Sequence, residues 1–167
     1  AELPPDRSAH CIIPIHRKGH KRLSLLLFGG ESRDAKRLDD TWELHAPADG
    51  WSAICQLDRN DESIPKLGTS PTWEKLMCGK VAGEDVPTPR SNHAMVTCGE
   101  HILVFGGWGV DNMTPLSHCE LLHSDSLCWT HCSTRGSVEP GPRGNPTLVY
   151  ESNCNRVILF GGWNGVH

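Results

Sequence analysis

HILVFGGWG, at residues 101–109, occurs with small changes at two other places in the chain. Residues 155–165 read NRVILFGGWNG, and residues 25–30 read LLLFGG without the tryptophan. Each copy is an aliphatic run followed by Phe-Gly-Gly, which is typical of a strand that is buried on both faces and ends in a tight backbone turn. The rest of the sequence can therefore be placed by its distance from three landmark strands.

The residues around each landmark recur in the same order. A turn with an arginine comes first, as PPDRSAH at 4–10, PTPRSNH at 87–93 and GPRGNP at 141–146. An apolar run then leads into the landmark, as CIIPI at 11–15, AMVTC at 94–98 and TLVY at 147–150. After the first two landmarks come a loop and then DDTWELH at 39–45 or SHCELLH at 117–123. This order predicts a repeated unit of four short antiparallel strands and about 50 residues, with the landmark strand second.

The first unit is longer than the second, since successive landmark phenylalanines are 77 and 55 residues apart. Either Trp51 or Trp73 could stand in its fourth strand, as Trp129 does in the second unit. Trp51 keeps the six-residue spacing from the preceding histidine, whereas Trp73 keeps the more similar distance to the next Pro-x-Pro-Arg, and we favour Trp73. A surface insertion near 52–72 then accounts for the 22 extra residues.

Pro-x-Pro-Arg-x-x-His, then Phe-Gly-Gly, then a lone tryptophan resembles the kelch repeat. The resemblance covers nearly the whole chain. It departs from the repeat at the insertion, at Pro146 in place of the histidine, and at Glu120 in place of a tryptophan. It implies an all-β fold, a kelch-type β-propeller whose blades are four-stranded antiparallel sheets around a central channel.

The resemblance also implies how the chain divides. Residues 1–83 form one blade with the long insertion, residues 84–136 form a second, and residues 137–167 supply the first half of a third. The segment thus holds about two and a half blades of an incomplete ring, where propellers typically have four to eight. We expect the remaining propeller blades to come from the same parent chain or from an associated chain.

The glycines, the tryptophan and the arginine of the repeat each have a physical role that the sequence predicts. The paired glycines let the chain turn with positive φ and let neighbouring backbones approach closely. The fourth-strand tryptophan covers the gap between blades. The arginine ties its loop by donating hydrogen bonds to carbonyl oxygens.

Composition narrows the function classes. The chain has 17 glycines and 12 prolines, which favours short strands and turns over helices, and no apolar run is long enough for a transmembrane helix. The formal net charge of -4 speaks against a nucleic acid or an anionic membrane surface as a partner. We interpret the eight cysteines as mostly reduced, buried small hydrophobes, and we predict a cytoplasmic protein.

One stretch, HCELLHSDSLCWTHC, suggests a metal. It contains His118, Cys119, His123, Cys128, His131 and Cys132, all zinc ligands by type. No paired Cys-x-x-Cys is present, however, and strand alternation sends adjacent side chains to opposite faces. We favour the interpretation that the cysteines are packed and the histidines exposed, and a structural zinc site remains the alternative. No nucleophile elbow and no phosphate-binding glycine loop occurs, so we predict neither catalytic residues nor a cofactor.

The resemblance implies a ligand face made by the loops between blades and the loops after Phe-Gly-Gly, where exposed tryptophan and arginine most often anchor an interface. The candidate residues are Arg7, Ser8, Arg33, Asp34, Arg90, Ser91, Asn92, Trp108, Asp111, Asn112, Arg143, Asn145, Trp163 and Asn164. The predicted function is a non-catalytic protein-binding or scaffold module that recognises a protein or peptide. The alternative is an enzyme on a kelch-type propeller, a metal-dependent lyase or isomerase, which a stoichiometric metal would favour.

Overall fold

The computed structural model describes residues 2–47, 70–84, 87–111, 114–133, 136 and 139–165. All regular structure in these ranges is β-strand, which confirms the predicted all-β class. The strands are β1 (Arg7–Ser8), β2 (Cys11–Ile15), β3 (Ser24–Phe28), β4 (Glu31–Ser32), β5 (Thr41–His45), β6 (Thr72–Leu76), β7 (Gly79–Lys80), β8 (Ala94–Cys98), β9 (His101–Phe105), β10 (Cys119–His123), β11 (Cys128–His131), β12 (Gly144–Glu151) and β13 (Arg156–Trp163). The described part of the chain contains no helix that could cross a membrane.

The first sheet has the strand order β2-β3-β5-β6, all antiparallel, with the first landmark as the inner strand β3. Trp73 lies in β6 opposite Leu44, just as Trp129 lies in β11 opposite Leu122. Trp73 is therefore the fourth-strand tryptophan, as favoured from its spacing. Trp51 lies outside the described residues, as does most of the insertion.

The second sheet has five strands in the order β7-β11-β10-β9-β8, with the second landmark as β9. The extra strand β7 belongs to the connection that leaves the first sheet, and it pairs parallel with β11. The Gly79 amide donates to the Leu127 carbonyl oxygen at 2.8 Å. This two-residue strand covers the outer edge of the second sheet, where unpaired backbone groups would otherwise face solvent. The sequence pattern did not predict it.

The third sheet is the hairpin of β12 and β13, which runs through Gly161 as far as Trp163. Its landmark is apolar like the other two, yet Phe160 is 77% exposed, whereas Phe28 and Phe105 are 0% and 4% exposed. The difference arises because the first two landmarks are each covered by the next sheet.

The core lies between the sheets. The Phe28 ring of the first sheet has its centroid 5.0 Å from the ring of Trp129, on strand β11 of the second sheet, and 5.3 Å from the ring of His93, which directly precedes β8. Trp129 is fully buried, so it covers the gap between the two units as predicted. At roughly 25 cal/mol per Å² of apolar area, a buried tryptophan contributes several kcal/mol to this contact.

The seven cysteines in the described ranges are free thiols. Only Cys119 is buried; Cys154 is exposed and the others are half-buried, so the prediction of mostly buried cysteines is wrong. Burial raises the pKa of Cys11 to about 11 and that of Cys119 to about 12, which keeps these two thiols protonated and unreactive at neutral pH.

Candidate partner-binding face

Three arginines hold the loops at one end of the sheets. The Nη1 atoms of Arg7, Arg90 and Arg143 donate to the carbonyl oxygen of the first landmark glycine at 2.9, 3.2 and 3.0 Å. Each Nε atom donates to the carbonyl oxygen two residues earlier, at 3.1, 3.1 and 3.0 Å. The prediction that these arginines tie the loops is confirmed. We call this end of the molecule, marked by Gly29, Gly106 and Gly161, the glycine end.

The first arginine also has a carboxylate partner. Arg7 binds Asp40 through two hydrogen bonds of 2.6 and 2.7 Å, and Trp42 Nε1 donates to the same carboxylate at 2.7 Å. Burial alone would raise the pKa of Asp40, but the donors Arg7 and Trp42 hold it below its usual range. Asp40 is therefore ionised at neutral pH.

The second arginine finds its carboxylate at another position. Arg90 Nη2 lies 2.6 Å from Glu120 Oε1, and both side chains are fully buried. Glu120 pairs with Val104 as Trp42 pairs with Leu27, so it occupies the register position of the missing tryptophan. In the second unit, Glu120 at the tryptophan position therefore supplies the carboxylate that neutralises the arginine, the role that Asp40 has in the first unit.

The landmark glycines turn with positive φ in every copy and bring the units together. The amides of Gly30 and Gly107 donate to the carbonyl oxygens of Arg90 and Arg143, at 2.8 and 2.9 Å. A Cβ on Gly29 would lie 2.7 Å from the Arg90 carbonyl oxygen. Both predicted reasons for glycine, the turn and the close approach, are confirmed.

The turns after the arginines form a connected row. Ala9, Asn92 and Asn145 have φ of 53°, 55° and 53°, a left-handed conformation that asparagine tolerates well. The Asn92 amide donates to the Ala9 carbonyl oxygen at 2.9 Å, and the Asn145 amide donates to the Asn92 carbonyl oxygen at 2.7 Å. Successive units therefore present these turns side by side.

The candidate residues divide by exposure. Seven are exposed at the glycine end: Ser8, Arg33, Asp34, Asp111, Asn145, Trp163 and Asn164. Arg7, Asn92 and Arg143 are half-buried, Arg90, Ser91 and Trp108 are buried, and Asn112 lies outside the described residues. The expectation that Arg90 and Trp108 are exposed anchors is wrong, because their side chains fill the contacts between units.

Trp108 packs against the third sheet. It is 9% exposed, and its ring centroid lies 5.5 Å from that of Trp163. The indole also covers Gly144, where an added Cβ would overlap the ring nitrogen. This contact explains why the third turn reads Arg-Gly where the others read Arg-Ser. Gly144 was missed from the sequence, and the only signal for it was that substitution.

The histidine and cysteine cluster of residues 118–132 is divided between the two ends of its sheet. His118 and His131 are exposed at the glycine end, with ring centroids 5.7 Å apart, and both line a cavity of about 700 Å³. His123 lies at the opposite end against His101, with the centroids 5.1 Å apart. Within the described ranges, the one group of three side chains close enough to share a metal ion is in the first unit, where His20 of the β2–β3 turn lies near Glu43 and His45 of β5.

The first two sheets share one order of four antiparallel strands, β2-β3-β5-β6 and β8-β9-β10-β11, and a repeated arginine and Gly-Gly link joins successive units. This arrangement defines a partial β-propeller of repeated blades. A family model described as the KLHDC2/KLHL20/DRC7 Kelch-repeats domain matches residues 1–167. The chain therefore belongs to the kelch-repeat family.

Several curated proteins are similar to this chain. Acyl-CoA-binding domain-containing protein 4 of Arabidopsis thaliana is 37% identical over 164 residues, 97% of this chain and 20% of that protein. F-box/kelch-repeat protein At1g51550 of Arabidopsis thaliana is 31% identical over 92% of this chain and 29% of that protein. Host cell factor 1 of Homo sapiens is 33% identical over 64% of this chain and 4% of that protein.

The chain spans less than a third of each of these relatives. Kelch domains generally bind proteins. The family and the relatives together indicate a protein-interaction module.

Proposed function

We propose that the chain is a non-catalytic scaffold module that recognises a protein or peptide partner at the glycine end. The observation that carries the proposal is the threefold arginine link, because it fixes the loops that present the exposed candidates. Side chains on loops held by a rigid scaffold bind without a large ordering cost. The partner would lie across the row of turns that includes Asn145.

The chemistry of the exposed side chains suggests what they bind. A shallow cavity of about 200 Å³ is lined by charged and hydroxyl side chains that include Ser8, Glu31 and Arg33. Trp163, 47% exposed at the same end, offers an aromatic surface. Such a face suits an extended segment with polar or charged groups and one apolar anchor.

The test uses peptides selected from a displayed random library against the whole chain. Affinities would be measured by fluorescence anisotropy for the wild type, Arg33→Glu, Asn145→Gly and Trp163→Ala. Glycine is chosen at 145 because it keeps the left-handed turn while removing the side chain. We expect at least a roughly tenfold loss of affinity, about 1.4 kcal/mol, for Arg33→Glu or Trp163→Ala. Arg33→Glu should leave the melting temperature unchanged, whereas Trp163→Ala should also lower it, because the Trp163 ring packs against Trp108.

The matched control is Lys21→Ala, an exposed residue in the turn between β2 and β3, at the opposite end of the first sheet. It should leave peptide affinity unchanged. Peptides that bind all three glycine-end variants as tightly as the wild type would contradict the proposal. Arg90 and Trp108 are unsuitable for this test, since their replacement would also loosen the contact between units.

We propose that the partner is neither a nucleic acid nor a membrane, since the net charge is -4, and that the module works in the cytoplasm with reduced cysteines. We also propose that it is not an enzyme, in keeping with its kelch-repeat relatives.

A further four-stranded unit is proposed to cover the third sheet. Gly29 and Gly106 are each contacted by the arginine carbonyl of the next unit, whereas an added Cβ on Gly161 meets nothing within 4 Å. Phe160 is exposed on the same strand. A unit with the same Pro-x-x-Arg turn would supply the missing carbonyl and bury that phenylalanine. Fusing such a unit after residue 167 should raise the melting temperature and protect Phe160, whereas an unchanged melting temperature would contradict it.

A further inference from the structure

We propose that His20, Glu43 and His45 form a binding site for a divalent transition-metal ion, zinc above all. One ligand atom from each residue lies within 4.8 Å of the other two. His20 Nδ1 is 3.9 Å from Glu43 Oε1, and His45 Nδ1 is 3.7 Å from the same oxygen. The carboxylate oxygen therefore faces two imidazole nitrogens at once.

The fold brings these residues together at the end of the first sheet that is opposite the glycine end. Glu43 and His45 are two positions apart on β5, so their side chains share one face of the strand. His20 comes from the turn between β2 and β3, where its amide donates to the Arg17 carbonyl oxygen at 3.0 Å. Partner recognition is proposed for the other end, so either proposal can fail while the other holds. A stoichiometric metal at this site would nevertheless favour the alternative of a metal-dependent enzyme over a non-catalytic module.

The carboxylate is held in place before any metal binds. Glu43 is fully buried; its Oε1 accepts a hydrogen bond from the Ser24 hydroxyl, and its Oε2 accepts one from Arg17 Nη1 at 2.7 Å. Oε1 retains acceptor capacity, because a carboxylate oxygen has more than one lone pair. A fixed ligand with one oxygen directed at both histidines loses little entropy on binding.

His45 is oriented by a second carboxylate. Its Nε2 lies 2.9 Å from Glu74 Oε2 on β6, which leaves Nδ1, the nitrogen nearest Glu43, for the ion. A metal-binding histidine usually donates its other N–H to a carboxylate or carbonyl, which fixes the tautomer and increases ligand basicity. Glu74 would be that outer partner.

The ligand set selects the metal. Two imidazoles and one carboxylate suit zinc, and three protein ligands leave a fourth position for water. A cavity of about 330 Å³ adjoins the site, lined by the turn residues 19–24 together with His45 and Ala46. Tetrahedral zinc needs ligand atoms on the order of 3.4 Å apart. His20, exposed on its turn, can close the remaining gap.

The test is a titration of the metal-free whole chain with Zn²⁺, followed by calorimetry, and with Co²⁺, followed by its visible spectrum. We expect one saturable site per chain. His20→Ala or His45→Ala should abolish it, and Glu74→Gln should weaken it by about 10- to 100-fold. Zinc should also raise the melting temperature of the wild type but not of His20→Ala.

Free cysteines are the competing ligands, and two controls address them. The double variant Cys119→Ser with Cys132→Ser should keep the site, and the cobalt spectrum should lack the charge-transfer bands of a thiolate ligand. His118→Ala should also leave binding unchanged. His20→Ala is the decisive variant, because its side chain is exposed and its loss leaves the buried Glu43 network in place. Equal zinc affinity for wild type and His20→Ala, or loss of the site in the cysteine variant, would overturn the proposal.

Discussion

Arg90 and Glu120 form the most enclosed ion pair among the described residues, since both side chains have no exposure to solvent. Removing one partner of a buried pair leaves an uncompensated charge, and this costs more than the pair itself contributes. Arg143 makes the same two carbonyl contacts at the exposed edge of the third sheet. Replacing each arginine in turn therefore separates the contribution of the buried ion pair to stability from the contribution of the hydrogen bonds to the loop carbonyls.

Arg90→Met should lower the free energy of unfolding by about 3–5 kcal/mol, because Glu120 then keeps a buried charge. Arg143→Met should lower it by less than about 1 kcal/mol, since solvent replaces its contacts. Urea unfolding followed by tryptophan fluorescence measures both. Adding Glu120→Leu to Arg90→Met should restore most of the loss, and a double variant no more stable than Arg90→Met alone would contradict this explanation.

The buried side chain of His93 packs against Phe28 and lies close to Gly29 of the first unit and Gly107 of the second, and neither of its ring nitrogens has a hydrogen-bond partner in the described part of the chain. Burial, with Arg90 nearby, lowers its pKa to about 3. The folded protein therefore holds this histidine neutral, whereas the unfolded chain takes up a proton near pH 6.5. Its contribution to stability is full above pH 6.5 and is lost as the pH falls towards 3.

His93→Leu should remove that pH dependence. The free energy of unfolding of the wild type should fall relative to the variant by about 1.4 kcal/mol per pH unit below pH 6.5. Urea unfolding at pH 7.5, 6.0 and 5.0 measures the difference between the two proteins, in which the contributions of the other histidines cancel. A difference that stays constant over this range would mean that His93 has the same pKa in the folded and unfolded states.

Contacts between elements depend on the glycine at the end of each landmark strand. Gly106 and Gly161 have nearly the same φ, 69° and 67°, so alanine suffers the same backbone strain at either position. They differ in surroundings, because an added Cβ on Gly106 would overlap the Arg143 carbonyl oxygen of the next unit and one on Gly161 would meet nothing. The two alanine variants, compared with each other, therefore measure the free-energy cost of the close contact between Gly106 and the next unit.

Gly161→Ala should destabilise the chain by about 1–2 kcal/mol, the cost of a left-handed alanine. Gly106→Ala should cost clearly more, because the next unit must also move away. Thermal and urea unfolding of the two variants provide the comparison. Equal losses would show that the inter-unit contact adds nothing to the need for glycine.

Across the whole molecule, stability should fall from the second sheet to the third. β9 has a strand on each side and three buried apolar residues, whereas β12 and β13 form a two-stranded hairpin with exposed Val149, Ile158 and Phe160. Segments with few buried apolar contacts open most readily.

Hydrogen exchange followed by mass spectrometry should therefore show β13 amides exchanging well before those of β9. Fusion of a further unit after residue 167 should slow exchange in β13 and leave β9 unchanged. Simultaneous exchange of β9 and β13 in the unfused chain would contradict the gradient and indicate one cooperative unit.

The repeated sequence pattern predicted the strands and the loop contacts within each unit. The alternation of arginine turn, apolar strand and Phe-Gly-Gly determined the strands, their antiparallel order, the glycine turns and the arginine links, because each depends on residues close in sequence. The choice of Trp73 over Trp51 came from spacing within the repeat.

Other features depend on residues far apart in the chain. Each of these features needs two segments of the chain, and the packing of the sheets determines how those segments lie relative to each other. They are the Arg90–Glu120 ion pair, the burial of Trp108 over Gly144, the edge strand β7 and the group of His20, Glu43 and His45. Sequence by itself determined the repeated unit and its hydrogen-bonded loops. Only the tertiary structure decided which side chains face solvent. The physical reason is that a side chain in this chain is buried when a neighbouring sheet covers its own sheet, and exposed when none does.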